Sequence, residues 1–120
     1  MKKKILVAED DKAITEVVRI ILEDEGYTVL MADQGEKVHK AILQHKPDMI
    51  LLDIWLFGED GVEIAKVLKS QKATQKIPLV MMSANNETEK ITKEVGADDF
   101  LLKPFNIEDL LYLVRKHIKS

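Results

Sequence analysis

The chain has 120 residues, 46% of them hydrophobic and 32% charged, the balance of one soluble globular domain. Its 21 acidic residues outnumber 18 basic ones for a net charge of −3, the reverse of the excess a general nucleic-acid binder carries. The lack of cysteine excludes disulfides, iron–sulfur clusters, thiolate zinc sites and cysteine nucleophiles, and no apolar run approaches the roughly 20 residues of a membrane span.

Two hydrophobic periods alternate along the chain. Met1-Lys2-Lys3-Lys4 reads as a solvated basic leader. Ile5-Leu6-Val7-Ala8, too short for a signal-peptide core, reads as a first strand, so a cytosolic protein is expected. The strand runs into Glu9-Asp10-Asp11, where Asp11 suits a helix cap. Ile14, Val17, Val18, Ile21 and Leu22 then recur at helical spacing up to a stop at Gly26. Tyr27 to Met31 reads as a strand, and Val38, Ala41 and Ile42 mark a helix closed by Pro47. Met49-Ile50-Leu51-Leu52 is a continuous apolar run ending at Asp53, as in a strand covered on both faces. Val62, Ile64, Ala65 and Leu68 predict a third helix, and Leu79-Val80-Met81-Met82 a fourth strand ending at Ser83. Ile91 and Val95 support a helix stopped by Gly96, and Phe100-Leu101-Leu102 a last strand ending at Lys103-Pro104. Asn106 can cap a final helix carrying Ile107, Leu110, Leu111, Val114 and Ile118, with acids early and bases late.

Strand and helix thus alternate five times, which implies a parallel α/β sheet with helices on both faces. Five such strands suit the doubly wound, flavodoxin-like order 2-1-3-4-5, in a single domain over residues 1–120. Parallel strands gather Glu9, Asp10, Asp53, Ser83 and Lys103 on one edge, at their carboxyl ends. Carboxylates brought together there repel unless a cation neutralises them. Hard carboxylate oxygens without imidazole or thiolate suit Mg²⁺. With one ammonium (Lys103) and one hydroxyl (Ser83), such a site can stabilise a transferring phosphoryl group, and Asp53 is the natural nucleophile.

With these residues in this order, the chain resembles a two-component response-regulator receiver domain of the single-domain, chemotaxis-receiver kind. Glu9-Asp10 matches the family's acidic pair, Asp53 its phosphoacceptor and Asp60-Gly61 its Asp-Gly turn. Ser83-Ala84 matches its hydroxyl switch position, and Gly96-Ala97-Asp98-Asp99-Phe100 leads into Lys103-Pro104-Phe105 as in the family. The resemblance implies Asp10, Asp53 and the carbonyl of Trp55 as Mg²⁺ ligands, with Glu9 acting through a bound water. It further implies Lys103 and Ser83 as partners of the phosphoryl group, and Phe100 as an aromatic that changes rotamer with Ser83. The implied donor is a histidine kinase or phosphotransfer protein, and the output a downstream protein rather than nucleic acid or membrane. Two positions depart from the pattern: Phe57 replaces the usual proline, freeing a loop and offering an apolar ring as a partner contact, and Glu9 replaces the more frequent aspartate.

Other classes fit less well. A phosphatase of the aspartyl-phosphate type wants a second Asp where Trp55 stands, and Glu9-Asp10-Asp11 would repel a flavin phosphate. No Gly-x-x-x-x-Gly-Lys-Ser/Thr loop follows the first strand. The remaining rival is a docking module never regulated by phosphorylation, which would be expected to lose the acceptor, the metal acids or the lysine. His39, His45 and His117 read as solvated side chains, and Met49, Met81 and Met82 as core filling.

Overall fold

Alternate side chains of the apolar strands part between two layers of helices, as the two-residue period of a strand dictates. The computed structural model describes residues 2–56 and 59–118, so the expectation for Phe57 lies outside the described residues. Strands β1 (Lys4–Ala8), β2 (Thr28–Ala32), β3 (Met49–Asp53), β4 (Leu79–Ser83) and β5 (Asp99–Leu102) form one parallel sheet. Its order is β2-β1-β3-β4-β5, the doubly wound arrangement anticipated. The helices are α1 (Lys12–Asp24), α2 (Gly35–His45), α3 (Gly61–Ser70), α4 (Thr88–Val95) and α5 (Ile107–His117).

Ile5 and Val7 of β1, with Met49 and Leu51 of β3, pack against Val18 and Leu22 of α1 and Leu110 and Val114 of α5. Leu6, Ile50, Leu52 and Met81 belong to the opposite layer, where Val38 and Ile42 of α2, Ile64 and Leu68 of α3 and Val95 of α4 cover them. Met49, Met81 and Met82 are fully buried, as expected of core filling.

The helix ends follow their caps. Asp11 accepts the N–H groups of Ala13 and Ile14 at 3.0 and 3.2 Å. Asn106 and Asp109 form a reciprocal capping box, with Glu108 and Asp109 in the first turn of α5 and Arg115, Lys116 and His117 in its last. Gly96 ends α4 with φ 78°, a left-handed conformation that a side chain would disfavour.

The structure also corrects several expectations. Strand β2 begins at Thr28, because the Tyr27 N–H donates to the Leu22 carbonyl at 3.0 Å and completes the turn after α1. Lys4 belongs to β1 and is not leader: its N–H donates to Asp48 at 2.8 Å and its ammonium to the His45 carbonyl at 3.0 Å. His117 is not a solvated side chain, because its Nε2 lies 2.9 Å from Asp99 Oδ2 and its side chain is only 15% exposed. A short antiparallel ladder between Trp55–Leu56 and Glu59–Asp60 was not anticipated, since two residues per side show no period.

Candidate functional site

The parallel sheet presents all its carboxyl ends at one edge, and β1 and β3 lie side by side there. Chain connections leave β1 and β3 toward opposite sides, which opens the crevice where such sheets hold ligands. Glu9 and Asp10 follow β1, Asp53 closes β3, Ser83 closes β4 and Lys103 follows β5. Carboxylate oxygens of Glu9, Asp10 and Asp53 all lie within 4.8 Å of one another. Glu9 is 3% exposed and Asp53 7%, so the two acids are nearly withdrawn from water.

Burial of that kind is tolerated because each oxygen is matched. The Lys103 ammonium donates to Glu9 Oε1 and, at 3.0 Å, to Asp53 Oδ2. The other Glu9 oxygen accepts the N–H groups of Asp10 and Asp11 at 3.0 and 3.2 Å. Asp53 Oδ1 accepts the Trp55 N–H at 3.0 Å. Burial, joined by the hydrogen bond shared with Asp53, pushes the Glu9 carboxyl up to about 7, against the lowering effect of Lys103 and the Asp11 N–H. Burial works against the Lys103 ammonium, but its bonds to Glu9 and Asp53 outweigh this and raise it above the usual lysine value.

Backbone contacts join Ser83 and Trp55 to this cluster, whereas Phe100 lies apart from it. The Lys103 N–H donates to the Ser83 carbonyl at 3.0 Å, while Ser83 Oγ accepts the Asn85 N–H at 2.9 Å. Trp55 is tied to Asp53 by its N–H, with 61% of the residue exposed. Phe100 lies on β5 opposite Met81 and lines a groove with Leu102, Pro104 and Tyr112. Sequence reasoning missed the direct bond between Lys103 and Glu9, and gave Gly61 no role beyond a turn. Only the pairing of Lys103 with an acid-rich edge hinted at the former.

The donor set suits a small hard cation. It offers carboxylate oxygens from three residues, without imidazole or thiolate, on one side of a fixed ammonium. Mg²⁺ binds through few carboxylates and retains waters, so three acids at this spacing fit it.

Comparison with known proteins agrees with this geometry. Residues 5–115 match the family model of the response regulator receiver domain. The chain is 40% identical over 111 residues to the phosphate regulon transcriptional regulatory protein PhoB of Pseudomonas aeruginosa, covering 91% of this chain and 48% of that protein. It is also 40% identical over 108 residues to the alkaline phosphatase synthesis transcriptional regulatory protein PhoP of Bacillus subtilis, covering 88% and 44%. The chain thus spans about half the length of the curated relatives it matches. Among solved structures, the chemotaxis response regulator CheY4 of Vibrio cholerae superposes with a TM-score of 0.90 at 28% identity, over 98% of this chain and 100% of that one. The receiver domain of NtrX from Brucella abortus gives 0.86 at 32% identity, over 94% and 96%. Matched along nearly its whole length by sequence and by fold, the chain belongs to the response regulator receiver domains of two-component signalling.

Proposed function

We propose that Asp53 accepts a phosphoryl group from the phosphohistidine of a histidine kinase or phosphotransfer protein, in a Mg²⁺-dependent reaction that this chain itself catalyses. The observation that carries this reading is the setting of Asp53: nearly buried among acids, with one oxygen on the Trp55 N–H and the other on Lys103. An Asp53 oxygen attacks phosphorus as the bond to the imidazole nitrogen breaks, leaving an acyl phosphate on the aspartate. Asp10, Asp53 and the Trp55 carbonyl would hold the ion, with Glu9 reaching it through water. Bound there, Mg²⁺ supplies positive charge to the phosphoryl oxygens.

Lys103 turns from Asp53 Oδ2 toward the new phosphoryl oxygens, and the Ser83 hydroxyl donates to one of them. The added charge shifts a two-state equilibrium through Ser83 and Phe100 toward an altered face of α4, β5 and α5, where a protein target reads it. On this reading the chain works in a cytoplasmic phosphorelay. The whole relatives are transcriptional regulators twice its length, and none of their activity is needed for the reading.

The test is direct. Incubated with Mg²⁺ and acetyl phosphate, the chain is expected to gain one phosphoryl group by intact mass, and Asp53→Asn none. Undiminished labelling of Asp53→Asn would overturn Asp53 as the acceptor, and no labelling of the unmutated chain would leave a docking module not regulated by phosphorylation.

A further inference from the structure

Helix α3 begins against the very backbone that carries Asp53. Gly61, its first residue, is buried and donates its N–H to the Ile54 carbonyl at 2.7 Å. A Cβ at Gly61 would fall well inside contact distance of the Asp53 carbonyl oxygen, and at 2.6 and 2.8 Å from the carbonyl oxygen and carbon of Ile54. All three are backbone atoms, so no flexible side chain can swing aside to make room.

The segment is held from its other sides too. The Ile54 N–H donates to the Met82 carbonyl of β4 at 2.9 Å, which fixes the chain as it leaves β3. Trp55, whose N–H holds Asp53 Oδ1, pairs across the short ladder with Asp60. Asp60 caps α3 by accepting the Val62 N–H at 2.9 Å. Gly61 is not among the glycines with positive φ, so the glycine is required here by space and not by torsion.

We propose that Gly61 is a positioning residue for the phosphoryl acceptor. Its missing side chain lets α3 clamp the Asp53–Ile54 backbone, and that clamp aims the Asp53 carboxylate at Glu9, Asp10 and Lys103. The role rests on the reading of Asp53 as acceptor. A methyl group at Gly61 must push the segment toward the sheet edge or α3 away from it, and either motion turns the carboxylate out of line. Misplacing a reacting group by about 1 Å can cost on the order of 100-fold in rate.

The experiment compares phosphoryl incorporation from acetyl phosphate, followed by intact mass, with Mg²⁺ titrations read from the fluorescence of Trp55, the single tryptophan of the chain. Gly61→Ala is expected to lose about tenfold or more in incorporation rate per folded molecule, and several-fold in Mg²⁺ affinity. Ile64→Ala, which trims a buried side chain of the same helix without adding an atom near Asp53, is the control for lost stability. It is expected to keep both values. Should Gly61→Ala fail to fold, Asp60→Ala and Asp60→Asn decide instead: they remove the same charge, but asparagine retains an oxygen for the Val62 N–H. Slower incorporation in Asp60→Ala than in Asp60→Asn supports the clamp. Rates in Gly61→Ala equal to the unmutated chain, or equal rates in the two Asp60 variants, overturn it. No incorporation by the unmutated chain would instead remove the acceptor reading, and the clamp with it.

Discussion

Lys103 is a single ammonium shared by Glu9 and Asp53, and it stands between two acids that are both more than nine-tenths buried. Its removal leaves those carboxylates facing each other without the ammonium that bonds both. Breaking a buried ion pair by deleting one partner costs about 3–5 kcal/mol. The Lys103 side chain remains 17% exposed, so water screens part of the effect, and about 2 kcal/mol is a fairer expectation. Lys103→Ala should therefore melt earlier without metal, and Mg²⁺ should raise its melting temperature by more than that of the unmutated chain. Its Mg²⁺ affinity should persist or rise, since a nearby positive charge has gone, while phosphoryl incorporation falls. Loss of Mg²⁺ binding with the fold intact would show that Lys103 acts on the metal and not on the phosphoryl group.

Among the elements, α5 is fastened at both ends, by the Asn106 capping box at its start and by Asp99 near its finish. Asp99 of β5 takes His117 Nε2 at 2.9 Å and Lys116 Nζ at 3.2 Å on the same oxygen. Burial alone would raise the Asp99 carboxyl, but hydrogen bonds from His117, the Phe100 N–H and Lys116 prevail and hold it below its ordinary 3.8. A carboxyl lowered in the folded state adds stability above its unfolded pKa, and that stability is lost as pH falls through the folded value. The window thus lies below pH of about 4. Acid should lower the melting temperature of the unmutated chain more steeply there than that of Asp99→Asn, which has no such carboxylate to protonate. Parallel acid profiles in the two proteins would mean that the fastening contributes nothing through its charge.

For the whole molecule, the apolar core and the chemistry are separable because they occupy different parts of the sheet. The apolar side chains of β1 and β3 fill two layers, whereas the reacting groups sit at or just past the carboxyl ends of the strands. Leu6, fully buried in the layer under α2, α3 and α4, should cost about 2–5 kcal/mol when cut to alanine, measured by urea denaturation. Phosphoryl incorporation per folded molecule should stay near that of the unmutated chain. A large rate loss in Leu6→Ala would mean instead that the site depends on packing well below the sheet edge.

Much of this was legible in one dimension. The runs Ile5–Ala8, Met49–Leu52 and Leu79–Met82 declare buried parallel strands, because only a sheet covered on both faces wants apolar residues at every position. Acids and a hydroxyl directly after those runs, with a lysine after Phe100–Leu102, declare a site, because parallel strands bring their ends to one edge. Caps are local, so Asp11 and Asn106 could be read from their neighbours alone. What the tertiary structure decided are the contacts between residues far apart. The bond from Lys103 to Glu9 spans 94 residues and depends on β5 and β1 reaching a common edge on either side of β3 and β4. His117 looked like any solvated histidine until α5 laid it against Asp99. Gly61 looked like a turn glycine until α3 packed its start onto the backbone of Asp53. A sequence carries the chemistry and period of each segment, but the distance between two segments exists only once the sheet has closed.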